Sequence, residues 1–399
     1  MKRISVLMAT AFVDMLGVAM VFPLVPFYAL RLKAEPWMIG WIIASFSIAQ
    51  LMSSPLWGRV SDRYGRKPAL LVGLGASSVA FVVFAFAGHW WMLMLSRIVQ
   101  GAGSGTTGVV QAYVGDAVEP KDRAKALGWI SAATNAGVMV GPALGSLATN
   151  ISHRAPGLIA ALICLLNVYF AWRWLPESKP GKGGNAPRPS IDTVQIRPVR
   201  EVVWDVIDRP RGDVPRLIWI YAVGMLGFNS MNAVLALYLG YRFGITEKTI
   251  GLFFLYIGAL SLIMRALVLG KVVDRLGETG VMRLGSLAMV VGLALIPLPH
   301  MVMLFAIVIA LIPIGTALLF PATSALVTHR APKAELGQVL GVQQAFGGVA
   351  RVAAPIFATA VFQAAGPTVP FYLASGIVAI ATLLAFRVQP NIPEVAKVA

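Results

Sequence analysis

Charge is what this sequence lacks most. Asp, Glu, Lys and Arg together make up 13% of its 399 residues, about half of what soluble domains carry. So little charge excludes a surface wetted on every side, and lipid must be the solvent for much of the chain. Cysteine is nearly absent: the single Cys164 falls inside an apolar run. No intramolecular disulfide can form, and the thiol reads as a small buried or lipid-facing hydrophobe. The four histidines, His89, His153, His300 and His329, all sit at the ends of apolar runs. No His/Cys cluster has metal-ligand spacing, and no phosphate-binding Gly-rich loop is present. Enzymatic chemistry, direct ATP drive and a resident cofactor are therefore not expected. Acids are the scarcer charge, 17 against 33 basic residues, for a net charge of +16. Nucleic-acid binding is not the reading, because the basic residues lie in short loops between apolar runs, where membrane topology puts them.

What the sequence has is apolar length. Runs able to span a bilayer occur near residues 4–30, 37–57, 68–87, 90–115, 124–149 and 155–175, then near 214–240, 247–270, 280–298, 301–326, 337–362 and 370–387. Each holds about 20 apolar-dominated residues, the length a helix needs to cross ~30 Å of hydrocarbon. The first run continues past Asp14 to about Leu30 with no small-residue cleavage site after it, so it reads as a span and not as a signal peptide.

Alternate loops are strongly basic: Arg59, Arg63, Arg66 and Lys67; Lys121, Arg123 and Lys125; Lys271, Arg275 and Arg283; Arg330 and Lys333. The other set is nearly bare, with Arg31, Lys33, Arg242 and Lys248 as exceptions. Basic loops stay inside, which predicts an inner-membrane, multi-pass protein with both termini cytoplasmic. The one long polar stretch is 176–213. Lys179 to Pro189 reads as a flexible linker, and Val199, Val202, Val203, Val206 and Ile207 form one apolar face of a short helix along the membrane or under the bundle.

The chain repeats itself. Gly58-Arg59-Val60-Ser61-Asp62-Arg63-Tyr64-Gly65 recurs as Gly270-Lys271-Val272-Val273-Asp274-Arg275-Leu276-Gly277 at an offset of 212 residues, and Pro120-Lys121 recurs as Pro332-Lys333 at the same offset. With an even number of spans per half, the halves are parallel repeats, a known transporter plan with sites near the midplane. Gly58-x-x-x-Asp62-Arg63-x-Gly65-Arg66-Lys67 resembles the signature loop between the second and third helices of the major facilitator superfamily. The resemblance covers essentially the whole chain. It implies an all-α membrane protein with the major facilitator fold: 12 transmembrane helices in two six-helix halves (1–175 and 214–399) joined by the linker 176–213, expected to act as a monomer.

Two further motifs resemble the proton-coupled drug-efflux branch. These are Gly137-x-x-x-Gly141-Pro142-x-x-Gly145 in the fifth span and Arg97-Ile98-Val99-Gln100-Gly101-x-Gly103 in the fourth. The first span, Asp14-Met15-Leu16-Gly17 with Pro23 and Pro26, is similar to that of tetracycline pumps. Those pumps also carry acids in their third and ninth helices and a histidine in the eighth. Here those helices hold none, and the eighth has Ser261 and Arg265, which counts against tetracycline itself.

In the signature loop, Gly58 and Gly65 are expected to supply turn freedom, Asp62 to cap the following helix or accept from a neighbouring one, and Arg66 to reach Asp116. Together with Arg63 and the second-copy Asp274 they form the expected cytoplasmic gate, a charge-assisted latch. Gly137, Gly141 and Gly145 share one helix face, and Pro142 bends that helix, which suggests a pliable contact between the halves or ordinary close packing.

Asp14, Arg97, Arg265 and Arg351 lie within apolar runs, where ionised groups are costly and by default functional. Asp14 is ~15 Å deep from one side and Arg97 ~12 Å from the other. They can pair statically, or they can work as a proton switch in which a helix movement changes the proton affinity of Asp14. Arg265 can snorkel. Cavity candidates, guided by the family's architecture, are Gln100, Phe228, Asn229, Asn232, Tyr238, Phe320, Gln343, Gln344 and Arg351. The expectation is proton-driven export of small lipophilic molecules or drugs by alternating access, with a small-molecule substrate, protons and membrane lipid as partners. The alternatives are a proton-coupled importer of a nutrient or organic anion, and a non-transporting sensor.

Overall fold

The structure, a computed structural model, describes residues 2–178 and 198–389. The expected linker Lys179–Pro189 lies outside the described residues. Every apolar run falls on helix, and no strand occurs among the described residues. The first half supplies α1 Lys2–Val21, α2 Val25–Arg31, α3 Pro36–Tyr64, α4 Arg66–Ala85, α5 Trp90–Gly103, α6 Thr107–Ala117, α7 Arg123–Thr149 and α8 Ala155–Trp174. The second supplies α9 Val199–Asp208, α10 Asp213–Phe243, α11 Ile250–Ile263, α12 Leu269–Leu295, α13 Val302–Ile309, α14 Leu311–Arg330, α15 Leu336–Ala365 and α16 Val369–Phe386. Among the described residues, nine helical segments are long and apolar enough to cross a membrane. One of them, Ile250–Leu295, has 46 residues, enough for two crossings, and it is interrupted at Gly277, where φ is +65°.

The described residues fall into two compact units, 2–178 with 236–258, and 198–235 with 259–389. In the first, α1 packs on α7, α3 on α5 and α4 on α8. In the second, α12 packs on both α14 and α16. Polar side chains inside these apolar helices bond to their own backbone: Ser45 and Ser53 to carbonyls three residues back, and Thr323, Thr359 and Thr382 to carbonyls four back. A hydroxyl bonded this way offers lipid no bare polar group. A smaller set joins helices, with Ser78 donating to Ala161 O at 2.9 Å and Ser96 to Ala80 O at 2.8 Å.

Two expectations need correction. Gly58 is not a turn residue. It lies inside α3, and a Cβ there would meet nothing within 4 Å. The chain turns at Gly65 alone, where φ is +104°, a conformation that only glycine adopts freely. The short helix α9 exists, but its buried face is narrower than the sequence suggests. Val202 and Val206 are buried, while Val199 and Ile207 are exposed. Trp219 Nε1 donates to Val206 O at 2.9 Å and so ties α9 to α10.

Candidate functional site

The residues around Gly65 form a charged cluster at one end of the first unit. Arg66 opens α4, and its side chain is 12% exposed. Its Nε donates to Asp116 Oδ2 at 2.9 Å, and its Nη1 to Asp62 Oδ1 at 2.7 Å and to Ser61 Oγ at 2.8 Å. Asp116 is more shielded than Asp62, 32% against 67% exposed, so the Asp116 bond is the less screened of the two. Asp62 does not accept the first amides of α4. The first amides of α4 go instead to Glu177, which accepts from Arg66 N at 2.9 Å and from Lys67 N at 3.1 Å.

Sequence reasoning placed Glu177 in the linker and missed this role. A signal was present: the first amides of a helix need acceptors, and Glu177 is the one acid between Asp122 and Asp192. Lys67 Nζ donates to Trp172 O at 2.6 Å, near the carbonyl-rich end of α8. Arg63 lies over the ring of Tyr64 at 5.4 Å.

The second copy of the motif does not rebuild this cluster. Asp274 is exposed and makes no ion pair among the described residues. Glu278, standing where the first copy has Arg66, lies 3.2 Å from His329 Nε2 instead. Arg283 then does for α16 what Lys67 does for α8, donating to the carbonyls of Ala385, Phe386 and Val388.

The structure does not join Asp14 to Arg97. Among the described residues Asp14 has no ion pair or hydrogen bond, and it lies within electrostatic range of the buried Cys164 on α8. The Arg97 side chain is buried, with its guanidinium 5.5 Å from the centre of the Phe84 ring, and its Nε and Nη2 have no hydrogen-bond partner among the described residues. Gln100 and Ser104 share that helix face at i+3 and i+7. Both polar atoms of the Gln100 amide and the Ser104 hydroxyl are also buried without partners among the described residues. Unmatched buried polar groups are costly, so this stripe of α5 holds unspent hydrogen-bonding capacity beside a cation.

The glycine face of α7 packs on α1 inside the first unit, which is the close packing that was one of its two expected readings. A Cβ at Gly141 would lie 2.7 Å from Leu16 O and 2.8 Å from Ala19 Cβ, and Gly137 and Gly145 press on the α1 carbonyls of Phe12 and Met20. The opposite side of α7 receives α11. Gly251 closes on the Pro142 carbonyl, Gly251 N donates to Ser146 Oγ at 2.8 Å, and Gly258 faces Met139. Gly101 likewise closes on Phe46 O of α3, and Gly105 on Ser53 and Trp57.

Some cavity candidates come together. Phe228 and Tyr221 of α10 meet Phe320 of α14 at 6.3 and 5.4 Å between ring centres, and Tyr221 is the member the sequence did not single out. Asn229 donates to Met225 O of its own helix, and Asn232 is half-buried. Tyr238 is buried in the first unit. Gln343 is buried, with its Nε2 3.3 Å from Ser324 Oγ, while Gln344 is exposed. Arg351 is half-buried and makes no ion pair among the described residues. Arg265 lies in a π-helical turn, Met264–Val268, an irregularity common at functional sites.

Comparison with known proteins adds a name to this architecture. A family model described as Major Facilitator Superfamily matches residues 7–312 and 217–398. The tetracycline resistance protein, class C, of Escherichia coli is 28% identical over 371 residues, covering 92% of this chain and 91% of that protein. Multidrug resistance protein 1 of Bacillus subtilis strain 168 is 26% identical over 382 residues, covering 96% and 95%. In fold, the chain is similar to the nucleoside transporter NupG, with a TM-score of 0.76 at 16% identity over 96% of this chain and 99% of that one. It is also similar to the human organic anion transporter TETRAN, with a TM-score of 0.69 at 22% identity over 96% and 99%.

Proposed function

Because this chain belongs to the Major Facilitator Superfamily, a family of multi-pass membrane transporters and not enzymes, we propose that it exports small lipophilic molecules in exchange for protons, by alternating access of two six-helix halves. One observation carries the reading. Asp14 and Arg97 sit in apolar spans and are not bonded to each other or to any other charge among the described residues. A static structural pair would show a bond. Two intramembrane charges held apart leave the carboxylate able to take up and release a proton as helices move, and leave Arg97, Gln100 and Ser104 able to bind what passes.

In this reading Asp14 is the proton carrier and Arg97 tunes it. Asp62, Arg66 and Asp116, braced by Glu177, close the cytoplasmic face. The aromatic group Tyr221, Phe228 and Phe320 gives the apolar wall that such substrates need. Relatives named for tetracycline and multidrug resistance support efflux. The proton gradient is the driving force, with no cofactor, and both termini face the cytoplasm of a cell with an inner membrane.

The test uses purified protein in vesicles loaded with a pH dye. Under an inside-acid gradient, a panel of lipophilic cations, tetracyclines and organic anions is added to wild type and Asp14→Asn. Substrate-dependent proton release that the variant loses is expected. Flux of proton and substrate in the same direction overturns antiport in favour of an importer. The excess of intramembrane arginine over carboxylate, with Arg97 and Arg351 against Asp14, gives that second reading an anionic substrate.

A further inference from the structure

At the end of the first unit opposite Arg66, three connections meet: the end of α2, the link between α7 and α8, and the turn between α10 and α11. The sequence left Arg31 and Lys248 as exceptions to the distribution of basic residues. The structure gives Arg31 its counter-ion, since Arg31 Nη2 donates to Glu247 Oε1 at 2.6 Å. The same oxygen lies 3.2 Å from His153 Nδ1. The Glu247 side chain is 13% exposed, while those of Arg31 and His153 are 41% and 59% exposed. The carboxylate is thus the shielded centre, and both cations reach solvent. His153 is held in place because Tyr28 Oη donates to its backbone carbonyl, and the Arg31 guanidinium lies 5.8 Å from the Tyr28 ring. A few residues on, the α11 backbone is pinned by the bond from Gly251 N to Ser146.

We propose that Arg31, His153 and Glu247 form a proton-sensitive lock on the outer mouth, holding the turn 244–249 against the helices of the first unit and tightening as the outside acidifies. The proposal rests on the alternating-access reading and its orientation, in which this end faces outward. Arg31 is charged at every physiological pH, so its bond to Glu247 is constant. His153 carries charge only when protonated. Neutral, it offers at most an ordinary hydrogen bond; protonated, it adds a second cation to a shielded carboxylate, where charge-assisted bonds are stronger.

The other titratable or charged groups at this end are Tyr28, Lys33, Glu35, Arg154, Tyr241, Arg242 and Lys248, with His89 on the connection between α4 and α5, where the Arg154 guanidinium lies over Phe86 at 5.1 Å. Of those residue types only histidine ordinarily changes charge between about pH 5 and 8, and the His153→Asn comparison separates His153 from His89. A protonated imidazole 3.2 Å from Glu247 therefore strengthens the hold on the turn, and a neutral one adds at most an ordinary hydrogen bond. In an exporter fed by outside protons, such a lock would hold the outer face shut until the bundle rearranges.

Hydrogen exchange of the peptide covering 244–249, in lipid nanodiscs without substrate, tests this at about pH 5.5 and 8, with rates corrected for the intrinsic effect of pH. Wild type is expected to be roughly two- to fivefold more protected at the acid pH. His153→Asn is expected to remove that difference while keeping the Arg31–Glu247 bond, and Glu247→Gln to raise exchange at both pH values. Lys248→Gln serves as a control that keeps the pH response. A wild-type pH response equal to that of His153→Asn overturns the proposal, as does a Glu247→Gln turn as protected as wild type. Should Glu247→Gln not fold, the His153→Asn comparison decides alone. Because no substrate or gradient is used, the outcome is separate from the vesicle test of efflux.

Discussion

Glu177→Gln probes the least obvious support of the Arg66 cluster. The carboxylate accepts two amides at the start of α4, from Arg66 at 2.9 Å and Lys67 at 3.1 Å. Glutamine keeps one carbonyl oxygen, so one amide loses its acceptor, and the negative charge at the helix N-terminus disappears. Loss of such a charge costs about 0.3–1 kcal/mol, and loss of a cap typically about 1 kcal/mol. Water can reach these amides, which places the sum near the low end, at about 1 kcal/mol. That is roughly a fivefold change in an opening equilibrium.

Exchange of the Arg66 and Lys67 amides should therefore speed up about fivefold, with peptides from α7 and α8 unchanged. Gly65→Ala supplies the coupled control. It forces a side chain into φ +104° and sets a Cβ 2.6 Å from Glu177 Oε2, so it displaces the same carboxylate. The double variant should then cost less than the two single costs added together. Unchanged exchange in Glu177→Gln, or strict additivity with Gly65→Ala, would refute the capping argument.

Asp116→Asn should leave expression and insertion normal but slow turnover in vesicles more than Asp62→Asn does, because Asp116 is the more shielded partner of Arg66; equal rates count against the latch. Gly141→Ala should lower the melting temperature by an overpacking cost of about 1–3 kcal/mol, while Gly128→Ala, where a Cβ meets nothing within 4 Å, should be neutral or stabilising. Arg97→Met should raise thermal stability while abolishing coupled transport, because it removes a buried guanidinium with two unpartnered nitrogens; a fall in stability would mean that Arg97 serves packing. A periplasmic readout from a reporter fused after Ala399 would overturn the orientation.

The helices were legible because lipid imposes length and apolarity on every crossing, and each of the twelve runs in the sequence falls on helix. The bond from Arg66 to Asp116 was legible too, since a basic residue beside a tight turn and an acid at the end of the fourth span leave few other pairings. What the sequence hid depends on which face of a helix turns inward. Gly137, Gly141 and Gly145 mark a close approach, but spacing alone does not say to which neighbour. The neighbour is α1, and the residues that meet α11 lie on the other side of α7. Distance along the chain hid Glu177, whose two partners in α4 are more than a hundred residues away.

The repeat shows the same limit from another direction. Asp62 and Asp274 occupy matching places in two copies of one motif, yet only Asp62 meets an arginine. The difference follows from one position: the first copy continues Gly65-Arg66, the second Gly277-Glu278. With an acid in place of the arginine, Asp274 makes no ion pair among the described residues, and Glu278 turns to His329 at the end of α14. A pair that includes a histidine is strong only when that histidine is protonated, whereas the Arg66 cluster keeps its charge. Exchanging the two, by Glu278→Arg in one chain and Arg66→Glu in another, should therefore act unequally. Arg66→Glu places an acid beside Asp62, Asp116 and Glu177 and should open the end of the first unit, seen as faster exchange in α4. Glu278→Arg should leave exchange in α12 almost unchanged, because the bond it removes depends on an exposed histidine being protonated. Equal effects would mean that the two motif copies carry equal loads, contrary to the geometry.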